Sequence, residues 1–479
     1  MNILMATSEC LPYSKTGGLA DVSYALSAEL VKLGHHVSIC VPYYRELDKK
    51  SKIKYLYTLD VKMNWRHLKA DIFHLVHDGI EYYFVVNDYY FRRNGGLYGY
   101  YDDGERYAFF DLAVIELMKR LPYELDILHV HDWQTGMLPC LLKVKYSQDP
   151  KLGKVKTVLT IHNPMFKGYF NPGSLYDLYE LDYYLYDQGL VRLDNQVSTL
   201  KAGIHFADKI TTVSPTHAEE LLTPEGSKGL WYDLTLRRND FVGILNGMDY
   251  KEFNHCKDPL IYTKFNTRNR KTGKRANKVA FCREFNLDPN KPIYSVVSRL
   301  TDQKGLDLIF AMAEFICSSG GIFCVLGSGE KYAEDYFNDL YLRYPNNCKV
   351  YIGYNNELAH KMYVASDFFI MPSAFEPCGL GQMIAQRYGT LPIVRRTGGL
   401  KDSVIPFNFN LKNSDVADGF GFDNYSVIDA LIVVAQTMMI YKTMRKEFER
   451  MVNNAITVDH SWKKSCLEYV ELYKTCLSY

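Results

Sequence analysis

A glycine-containing motif occurs twice in this chain, and both copies carry residue types that can hold an anionic group. The first copy is KTGGLAD at residues 15–21, and the second is RTGGLKD at residues 396–402. Adjacent glycines let the main chain approach a ligand closely, while the N–H groups and positive dipole end of a following helix attract negative charge. Lys15, Arg395 and Arg396 supply cations before the glycines. The pattern predicts a phosphate ligand, although a glycine pair before a helix can also be only a tight connection.

Strands and helices alternate along the whole chain and must position these turns. Apolar residues at 2–7 predict a strand before the first copy, and apolar residues at helical spacing over 19–33 predict a helix after it. Strands are also predicted at 36–41, 82–86, 126–130, 155–161, 209–213, 241–245, 293–297, 323–326, 350–352, 368–371 and 391–394, and helices at 109–121 and 306–316. Ser214 and Pro215 read as the N-cap and first-turn proline of another helix. The alternation predicts an α/β fold with parallel sheets.

The length of 479 residues favours a two-domain organisation. Apolar periodicity lapses after Lys251 and resumes near Pro292, so the domain boundary is expected in or near residues 246–258. Residues 264–278 are strongly basic. We interpret this tract as a solvated helix face, with an anion site as the alternative.

Composition excludes several classes of partner. The chain has 56 Lys plus Arg and 55 Asp plus Glu, so its charge predicts binding neither to nucleic acid nor to an anionic membrane.

The 11 cysteines are scattered without a C-x-x-C pair, which favours a reduced, cytoplasmic setting. No signal-peptide pattern or membrane-length apolar run is found. Tyrosines (39) outnumber phenylalanines (25), and we expect most of them to pack, with sugar stacking as the alternative.

Polar residues follow several predicted strands, where open α/β sheets hold ligands. His162 follows the strand at 155–161, and Arg299 and Lys304 follow the strand at 293–297. An arginine fork beside a lysine point charge is the pairing expected around a diphosphate. Glu376 lies in the turn-rich segment after the strand at 368–371, where it is either a site carboxylate or a helix-end or surface residue.

His129 and His131 share one face of the predicted strand at 126–130. They suggest a metal site, but no third ligand is evident nearby, so we prefer a structural role. Asp132, the next residue, is predicted to cap the following helix.

The absence of three common motifs argues against further classes of enzyme. The sequence contains neither G-x-G-x-x-G nor G-x-x-x-x-G-K-[ST], the usual phosphate-binding motifs of dinucleotide oxidoreductases and P-loop NTPases. It also lacks the D-x-D triplet through which many transferases hold a metal-bound diphosphate. Leaving-group charge would then be met by Arg299, Lys304 and main-chain N–H groups. The residues predict a two-domain α/β transferase of phosphorylated donors that works without a metal.

Six motifs together resemble the bacterial glycogen synthases and the related plant starch synthases. They are KTGGLADV at 15–22, TIHN at 160–163, LNGMD at 245–249, SRLTDQKG at 298–305, EPCGLGQ at 376–382 and GTLPIVRRTGGLKD at 389–402. The resemblance spans nearly the whole chain. It implies a GT-B fold of two Rossmann-like domains facing a deep central cleft, with residues 246–459 as the second domain and residues 460–479 returning to the first domain of 1–245. It implies no cofactor.

The resemblance also implies the reaction. ADP-glucose would be the donor, the non-reducing end of glycogen or another α-1,4-glucan the acceptor, and the anomeric configuration would be retained. In the implied mechanism a departing phosphate oxygen helps to remove the acceptor proton at the front face. A covalent route with Glu376 or Asp21 as nucleophile is the alternative. A non-catalytic glucan-binding protein and a glucan phosphorylase with pyridoxal phosphate are the other function classes considered.

Site residues follow from matching positions. The resemblance implies donor binding by Lys15, Gly17 and Gly18, a place near the donor sugar for Asp21 and His162, and a junction position for Asn246. It implies neutralisation of the distal phosphate by Arg299 and Lys304, packing of Tyr354 on the nucleobase, and a carboxylate facing the glucose at Glu376. Cys378, Gly379 and Leu380 would contact the donor, and Gly398 and Gly399 would form the second phosphate turn. Gly381 stands where some relatives have threonine, so main-chain N–H groups would serve there.

Overall fold

A computed structural model of the protein describes residues 1–45, 47 and 52–478. The chain divides into two compact units. The first contains Met1–Asn246 together with Trp462–Tyr479, and the second contains Gly247–Ser461. Within the described residues no single helix is long and apolar enough to cross a membrane; one bent pair of consecutive helices, Val427–Thr443 and Arg445–Thr457, meets that test of length and composition only when joined.

The first unit is built on a nine-stranded sheet in the order β12-β11-β7-β6-β1-β2-β5-β4-β3. Its strands are β1 (Asn2–Ala6), β2 (His36–Pro42), β3 (Lys54–Met63), β4 (Arg66–His77), β5 (Ile80–Val86), β6 (Ile127–His131), β7 (Lys156–Ile161), β11 (Lys209–Thr212) and β12 (Phe241–Gly243). The strands pair in parallel except where β4 meets β3 and β5. A small antiparallel sheet contains β8 (Tyr169–Phe170), β9 (Arg192–Leu193) and β10 (Gln196–Ser198).

Helices cover both faces of the large sheet, so its central strands are buried on both sides and mostly apolar. Ile3 and Met5 of β1 join one core cluster, and Leu4 and Ala6 join the other, because successive side chains of a strand point to opposite faces. The helices are α1 (Gly18–Lys32), α2 (Asp103–Arg120), α3 (Met137–Val144), α4 (Ser174–Tyr179), α5 (Tyr184–Asp187), α6 (Thr199–Phe206), α7 (Pro215–Leu221), α8 (Pro224–Ser227), α9 (Trp231–Leu236) and α18 (Trp462–Leu477). The predicted cap of α7 is confirmed, since the Ser214 side chain accepts from the N–H of His217.

The second unit has a six-stranded parallel sheet in the order β15-β14-β13-β16-β17-β18. The strands are β13 (Ile293–Val297), β14 (Ile322–Gly327), β15 (Cys348–Ile352), β16 (Phe368–Met371), β17 (Leu391–Arg395) and β18 (Phe420–Phe422). The helices are α10 (Arg270–Phe285), α11 (Leu306–Ser318), α12 (Lys331–Arg343), α13 (Asn356–Ala365), α14 (Gly381–Arg387), α15 (Gly398–Ser403), α16 (Val427–Thr443) and α17 (Arg445–Thr457). The carboxyl ends of these parallel strands meet at one edge of the sheet.

The basic tract at 264–278 is only in part the solvated face that we predicted, because two of its lysines turn inward whereas its exposed members are Lys264, Arg268, Lys271 and Arg275. The Lys274 ammonium group donates to Val364 O, Ser366 O and Thr390 Oγ1, and Lys278 is buried in an ion pair with Asp367. Lysines on the inner side of α10 therefore fix this helix to the polar groups around the start of β16. Sequence periodicity missed this because a lysine's apolar stem allows it to lie on either face of a helix.

Candidate active site

The first glycine turn is held by a buried carboxylate. Glu9 Oε2 accepts from the N–H groups of Thr16 and Gly17, at 2.5 and 3.2 Å, and Tyr98 donates its hydroxyl to Glu9 Oε1 at 3.0 Å. Gly17 is the N-cap of α1. The N–H groups of Thr16 and Gly17 are therefore already engaged, so an anion at this turn must use N–H groups further along α1. Sequence reasoning missed Glu9.

The two glycine turns use their glycines for different reasons. A Cβ added at Gly17 or Gly18 would meet no atom within 4 Å, so these positions face open space. At Gly398, whose φ is +43°, a Cβ would lie 2.0 Å from Glu376 O, and at Gly399 it would lie 2.1 Å from Cys378 O. The first pair therefore leaves room for a ligand, whereas the second pair allows one protein segment to pack directly on another.

Lys15 and Asp21 contact each other in this structure. The Lys15 Nζ lies 2.8 Å from Asp21 Oδ1, and both side chains retain solvent exposure. Asp21 lies in the first turn of α1, where a carboxylate is favoured by the helix dipole. Exposed ion pairs contribute only about 0–1 kcal/mol, so a phosphate can displace the carboxylate from Lys15 at little cost.

His162 follows β7, as predicted, and its main chain is held by Asp132. The Asp132 Oδ1 accepts from the N–H groups of His162 and Asn163, at 2.7 and 3.4 Å. Asp132 makes no capping hydrogen bond to the short 3-10 turn after it, so our capping prediction was wrong. Its φ is +54°, a left-handed conformation that aims the carboxylate across to the neighbouring strand end. Burial raises the pKa of Asp132 to about 7.

Both missed carboxylates could have been found from the sequence. Glu9 follows β1 and Asp132 follows β6 directly, so each occupies the same kind of position that identified His162. We interpreted Asp132 by a local helix rule instead of asking which strand ends lie side by side, and we did not consider Glu9. In the sheet, β6 pairs with both β1 and β7.

The three histidines in this region form a connected group. His129 Nε2 lies 2.6 Å from Thr160 Oγ1 and its Nδ1 lies 2.7 Å from Tyr473 OH, while His131 Nδ1 lies 3.0 Å from His162 Nε2. Burial lowers the pKa of His129 to about 3 and holds the pKa of His131 well below its usual range. Within the residues that the structure describes, no group of three His, Cys, Asp or Glu side chains is arranged to hold a metal.

Asn246 ends the first segment of the first unit. Its N–H donates to Val213 O at 3.3 Å, and its side chain is buried. The side-chain oxygen has no hydrogen-bond partner among residues 1–45, 47 and 52–478. A buried amide oxygen without a partner is rare in proteins, so this atom is available for a ligand.

In the second unit, Arg299, Lys304 and Glu376 line one cavity of about 300 Å³ at the carboxyl ends of β13 and β16. Lys304 Nζ lies 2.5 Å from Glu376 Oε2, and the hydroxyl of Ser373 donates to the same oxygen at 3.1 Å. Arg299 is exposed and has no ion-pair partner in the described part of the chain. Two cations face one carboxylate, so the cavity has a surplus of positive charge that suits an anion.

Backbone geometry places Lys304 in this cavity. Lys304 ends a 3-10 turn that begins at Asp302, and Gly305 follows with φ +75°. A Cβ at Gly305 would lie 2.4 Å from Pro372 O. Glycine is therefore required both by the dihedral angle and by the close approach of the segment after β16.

The loop with Cys378, Gly379 and Leu380 is fixed by one glutamine. Gln382 Nε2 donates to Cys378 O, Gly379 O and Ser403 Oγ, at 3.2, 3.0 and 2.9 Å. Gly379 and Leu380 line the same cavity as Glu376. Tyr354 is 87% exposed and does not line this cavity, so its predicted role in nucleobase packing is not prearranged here.

Gly381 begins α14 against an aromatic ring. A Cβ at this position would lie 3.0 Å from Phe369 Cε1 and 3.1 Å from Cζ, which is tighter than ordinary contact. Phe369 therefore occupies part of the space that a larger residue at 381 would need.

Comparisons with known proteins agree with this arrangement. A family model described as the starch synthase catalytic domain matches residues 2–235, and one described as glycosyl transferases group 1 matches residues 280–455. The chain is 42% identical to glycogen synthases of Clostridium botulinum (strain Alaska E43 / Type E3) and Bacillus anthracis, with full coverage of both chains in each case. The chain belongs to the glycogen and starch synthase family. The predicted family is confirmed.

Solved structures support the same assignment for the fold. The catalytic domain of starch synthase IV from Arabidopsis thaliana, bound to ADP and acarbose, matches with a TM-score of 0.89 and 31% identity, covering 100% of this chain and 99% of that one. A sucrose-phosphate synthase from Thermosynechococcus elongatus matches with a TM-score of 0.60 at 17% identity, which shows the fold alone. The predicted two-domain GT-B architecture and the glycosyltransferase class of enzyme are confirmed for this member of the family.

The contrast between the two glycine turns predicts different effects of alanine. Gly399→Ala should lower the free energy of unfolding by about 2 kcal/mol or more, because the main chain at Cys378 must move. Gly18→Ala should leave stability nearly unchanged and weaken donor binding, because its Cβ enters the open space. Urea unfolding and titration calorimetry measure the two quantities. Equal destabilisation by both substitutions would contradict the assigned roles.

The contact at Gly381 predicts coupling with Phe369. Gly381→Ala should cost about 1 kcal/mol or more of stability through overpacking. Phe369→Leu removes the ring atoms that the new Cβ meets, so the double variant should be more stable than the sum of the single effects by about 0.5 kcal/mol or more. A double-mutant cycle by denaturant unfolding measures this coupling free energy between positions 369 and 381. Strict additivity would show that the two residues do not compete for space.

Proposed function

We propose that this chain elongates glycogen by transferring glucose from ADP-glucose to the non-reducing end of an α-1,4-glucan, with retention of configuration. Family membership supports a nucleotide-sugar donor and a glucan acceptor. The observation that carries the proposal is the cavity in which Arg299 and Lys304 outnumber the carboxylate of Glu376 at the carboxyl edge of a parallel sheet. The starch synthase from Arabidopsis thaliana that matches the whole chain was solved with ADP and acarbose bound.

Each unit contains residues that we assign to donor binding. In the first unit they are Lys15, Gly17, Gly18, Asp21, His162 and Asn246. In the second unit they are Arg299, Lys304, Glu376, Cys378, Gly379, Leu380, Gly398 and Gly399. Tyr354 would pack on the nucleobase. The open space at Gly17 and Gly18 and the unpartnered oxygen of Asn246 support the first set. We place the reaction in the cytoplasm, in keeping with free cysteines throughout the described residues.

Charge stabilisation is the main task of these groups. Negative charge grows on the diphosphate as the bond to glucose breaks, and preorganised cations stabilise it most in the transition state. Lys304 already lies in the cavity through its ion pair with Glu376, while Arg299 is free to turn toward a ligand. The Glu376 carboxylate is engaged by both Lys304 and Ser373, which makes it a poor nucleophile. We therefore favour front-face substitution, assisted by the departing phosphate oxygen, over a covalent intermediate.

Transfer should not require a divalent metal. The cations of Arg299 and Lys304 take the place that a metal occupies in transferases with a D-x-D triplet. The rate of incorporation of labelled glucose into glycogen should therefore be nearly unchanged by EDTA. Complete loss of activity that magnesium or manganese restores would contradict this assignment. Running ADP-glucose and UDP-glucose in parallel, each with and without glycogen, also tests the donor and acceptor.

Removing either cation should affect the chemical step. Arg299→Ala and Lys304→Ala should each lower kcat on the order of 100-fold or more while glucan binding survives, because their contact with phosphate strengthens in the transition state. Arg343→Ala is a matched control, since that arginine pairs with Glu314 and Asp339 at the end of α12. Steady-state kinetics measure kcat and the KM values for donor and glucan. A higher donor KM at unchanged kcat would make the pair binding groups only.

A further inference from the structure

We infer that His131 is a positioning residue that holds the His162 ring with its proton on Nδ1, so that His162 presents a hydrogen-bond donor to the sugar nucleotide. His131 lies at the end of β6 and is completely buried. The ligand that His162 would bind rests on the proposed function, whereas the position of the proton follows from contacts within this chain.

The contact between the two rings requires one proton between them. His131 Nδ1 lies 3.0 Å from His162 Nε2, which is hydrogen-bond distance. If both nitrogens carried hydrogen the two donors would repel, and if neither did the lone pairs would repel. Each neutral imidazole has one N–H and one acceptor nitrogen. Fixing the proton in this contact therefore fixes the tautomer of both rings.

The far nitrogen of His131 decides between the two arrangements. Its Nε2 is buried and has no hydrogen-bond partner among the described residues. If His162 donated, the proton of His131 would lie on this Nε2 as a buried N–H group without an acceptor. If His131 donates, the same atom is only an unused acceptor. Buried N–H groups without partners are the rarer of the two defects, so His131 donates from Nδ1.

Neighbouring groups keep both rings neutral. The ring of His129 stacks on His131 with centroids 4.4 Å apart, and its nitrogens contact the hydroxyls of Thr160 and Tyr473. Desolvation lowers the pKa of His129 and His131, and it also lowers that of His162. Among the described residues, no carboxylate hydrogen-bonds to a ring nitrogen of these histidines, so nothing there stabilises an imidazolium. His162 is therefore neutral at working pH, with Nε2 accepting from His131 and its proton on Nδ1.

Two consecutive residues thus fix His162 in complementary ways. Asp132 holds its main-chain N–H, while His131 holds its ring. Both depend on the parallel register of β6 and β7, in which His131 pairs with Thr160. No partner of His162 Nδ1 occurs in the described part of the structure, so this N–H is available to a hydroxyl oxygen of the donor sugar. His162 then acts as a hydrogen-bond donor that selects a hydroxyl and not as a general base.

The proton position can be measured without any substrate. Selective 15N and 13C labelling of the 13 histidines permits long-range NMR correlations that distinguish Nδ1–H from Nε2–H rings, and a His162→Asn spectrum identifies the His162 signals. We expect the Nδ1–H tautomer at His162 from pH 6 to 8, about the range in which a free histidine would titrate. A His162 ring protonated on Nε2, or one that titrates near its ordinary pKa, would overturn the inference, whatever reaction the enzyme performs.

Two nearly isosteric substitutions test the effect on the reaction. The amide of His131→Asn still offers an N–H near the former Nδ1, whereas His131→Leu offers none. We expect His131→Leu to lose about tenfold in kcat/KM for the sugar nucleotide, the size of one neutral hydrogen bond, with the glucan KM unchanged and a mixed tautomer at His162. His131→Asn should recover most of this loss. Equal losses in both variants, with the His162 tautomer unchanged, would show a packing role only.

Discrimination between donor analogues separates a lost hydrogen bond from a general loss of packing. Wild-type enzyme should discriminate against the one deoxyglucose donor that lacks the hydroxyl bound by His162. His131→Leu should lose this discrimination, while discrimination at the other hydroxyls persists. Should His131→Leu fail to fold, the wild-type NMR result and the His131→Asn kinetics still decide the matter. If no sugar nucleotide is a substrate, the proposed function fails while the tautomer result stands by itself.

Discussion

Carboxylates that hold main-chain N–H groups at strand ends are the interaction on which the geometry of the first unit's site depends. Glu9 binds the N–H groups of Thr16 and Gly17 at the glycine turn, and Asp132 binds those of His162 and Asn163. Without these carboxylates, the N–H groups of each turn would need other hydrogen-bond acceptors, and the orientation of the neighbouring side chains would no longer be fixed. Charge-assisted hydrogen bonds are about twice as strong as neutral ones, which suits segments that bear functional side chains yet belong to no regular element. The left-handed conformation of Asp132 is the strain that this arrangement requires.

In the second unit, the segments around the cavity are held in place by close packing of main chains. Gly305, Gly398 and Gly399 each bring one backbone segment within a distance that no Cβ would permit. The cavity beside Arg299, Lys304 and Glu376 is thereby built from segments that cannot shift independently. Its charge surplus is created by side chains, but their positions are fixed by residues without side chains. Repetition of one motif in two halves of a chain therefore does not imply the same physical role in both.

Much of this architecture could be predicted from the sequence, because buried parallel strands are continuous apolar runs and helices have their own periodicity. The predicted strands at 155–161 and 293–297 correspond to β7 and β13, and the polar residues after them lie where a parallel sheet presents its ligands. The role of Asp132 was missed because its partners follow a neighbouring strand. The role of Glu9 was missed because its partners, Thr16 and Gly17, lie seven and eight residues further along the same loop, beyond the reach of helix and strand periodicity. The inward lysines of α10 were missed because charge alone does not tell which side of a helix meets solvent. The proton on His162 could not be predicted at all, since it depends on which atom of a different residue lacks a partner.

The position of α18 has a consequence for synthesis of the protein on the ribosome. Its buried residues Trp462, Cys466, Tyr469 and Tyr473 belong to the core cluster that also contains Ile3, Met5 and the apolar face of α1. This helix follows the whole second unit in the chain but is part of the first unit, and its Tyr473 contacts His129 beneath the site. The second unit, an uninterrupted segment, can complete its core while it emerges, because domains generally fold as units during translation. The first unit must wait with part of its apolar surface uncovered until α18 leaves the exit tunnel, so it is the earlier-made unit of this enzyme that is exposed longest to aggregation and to chaperones.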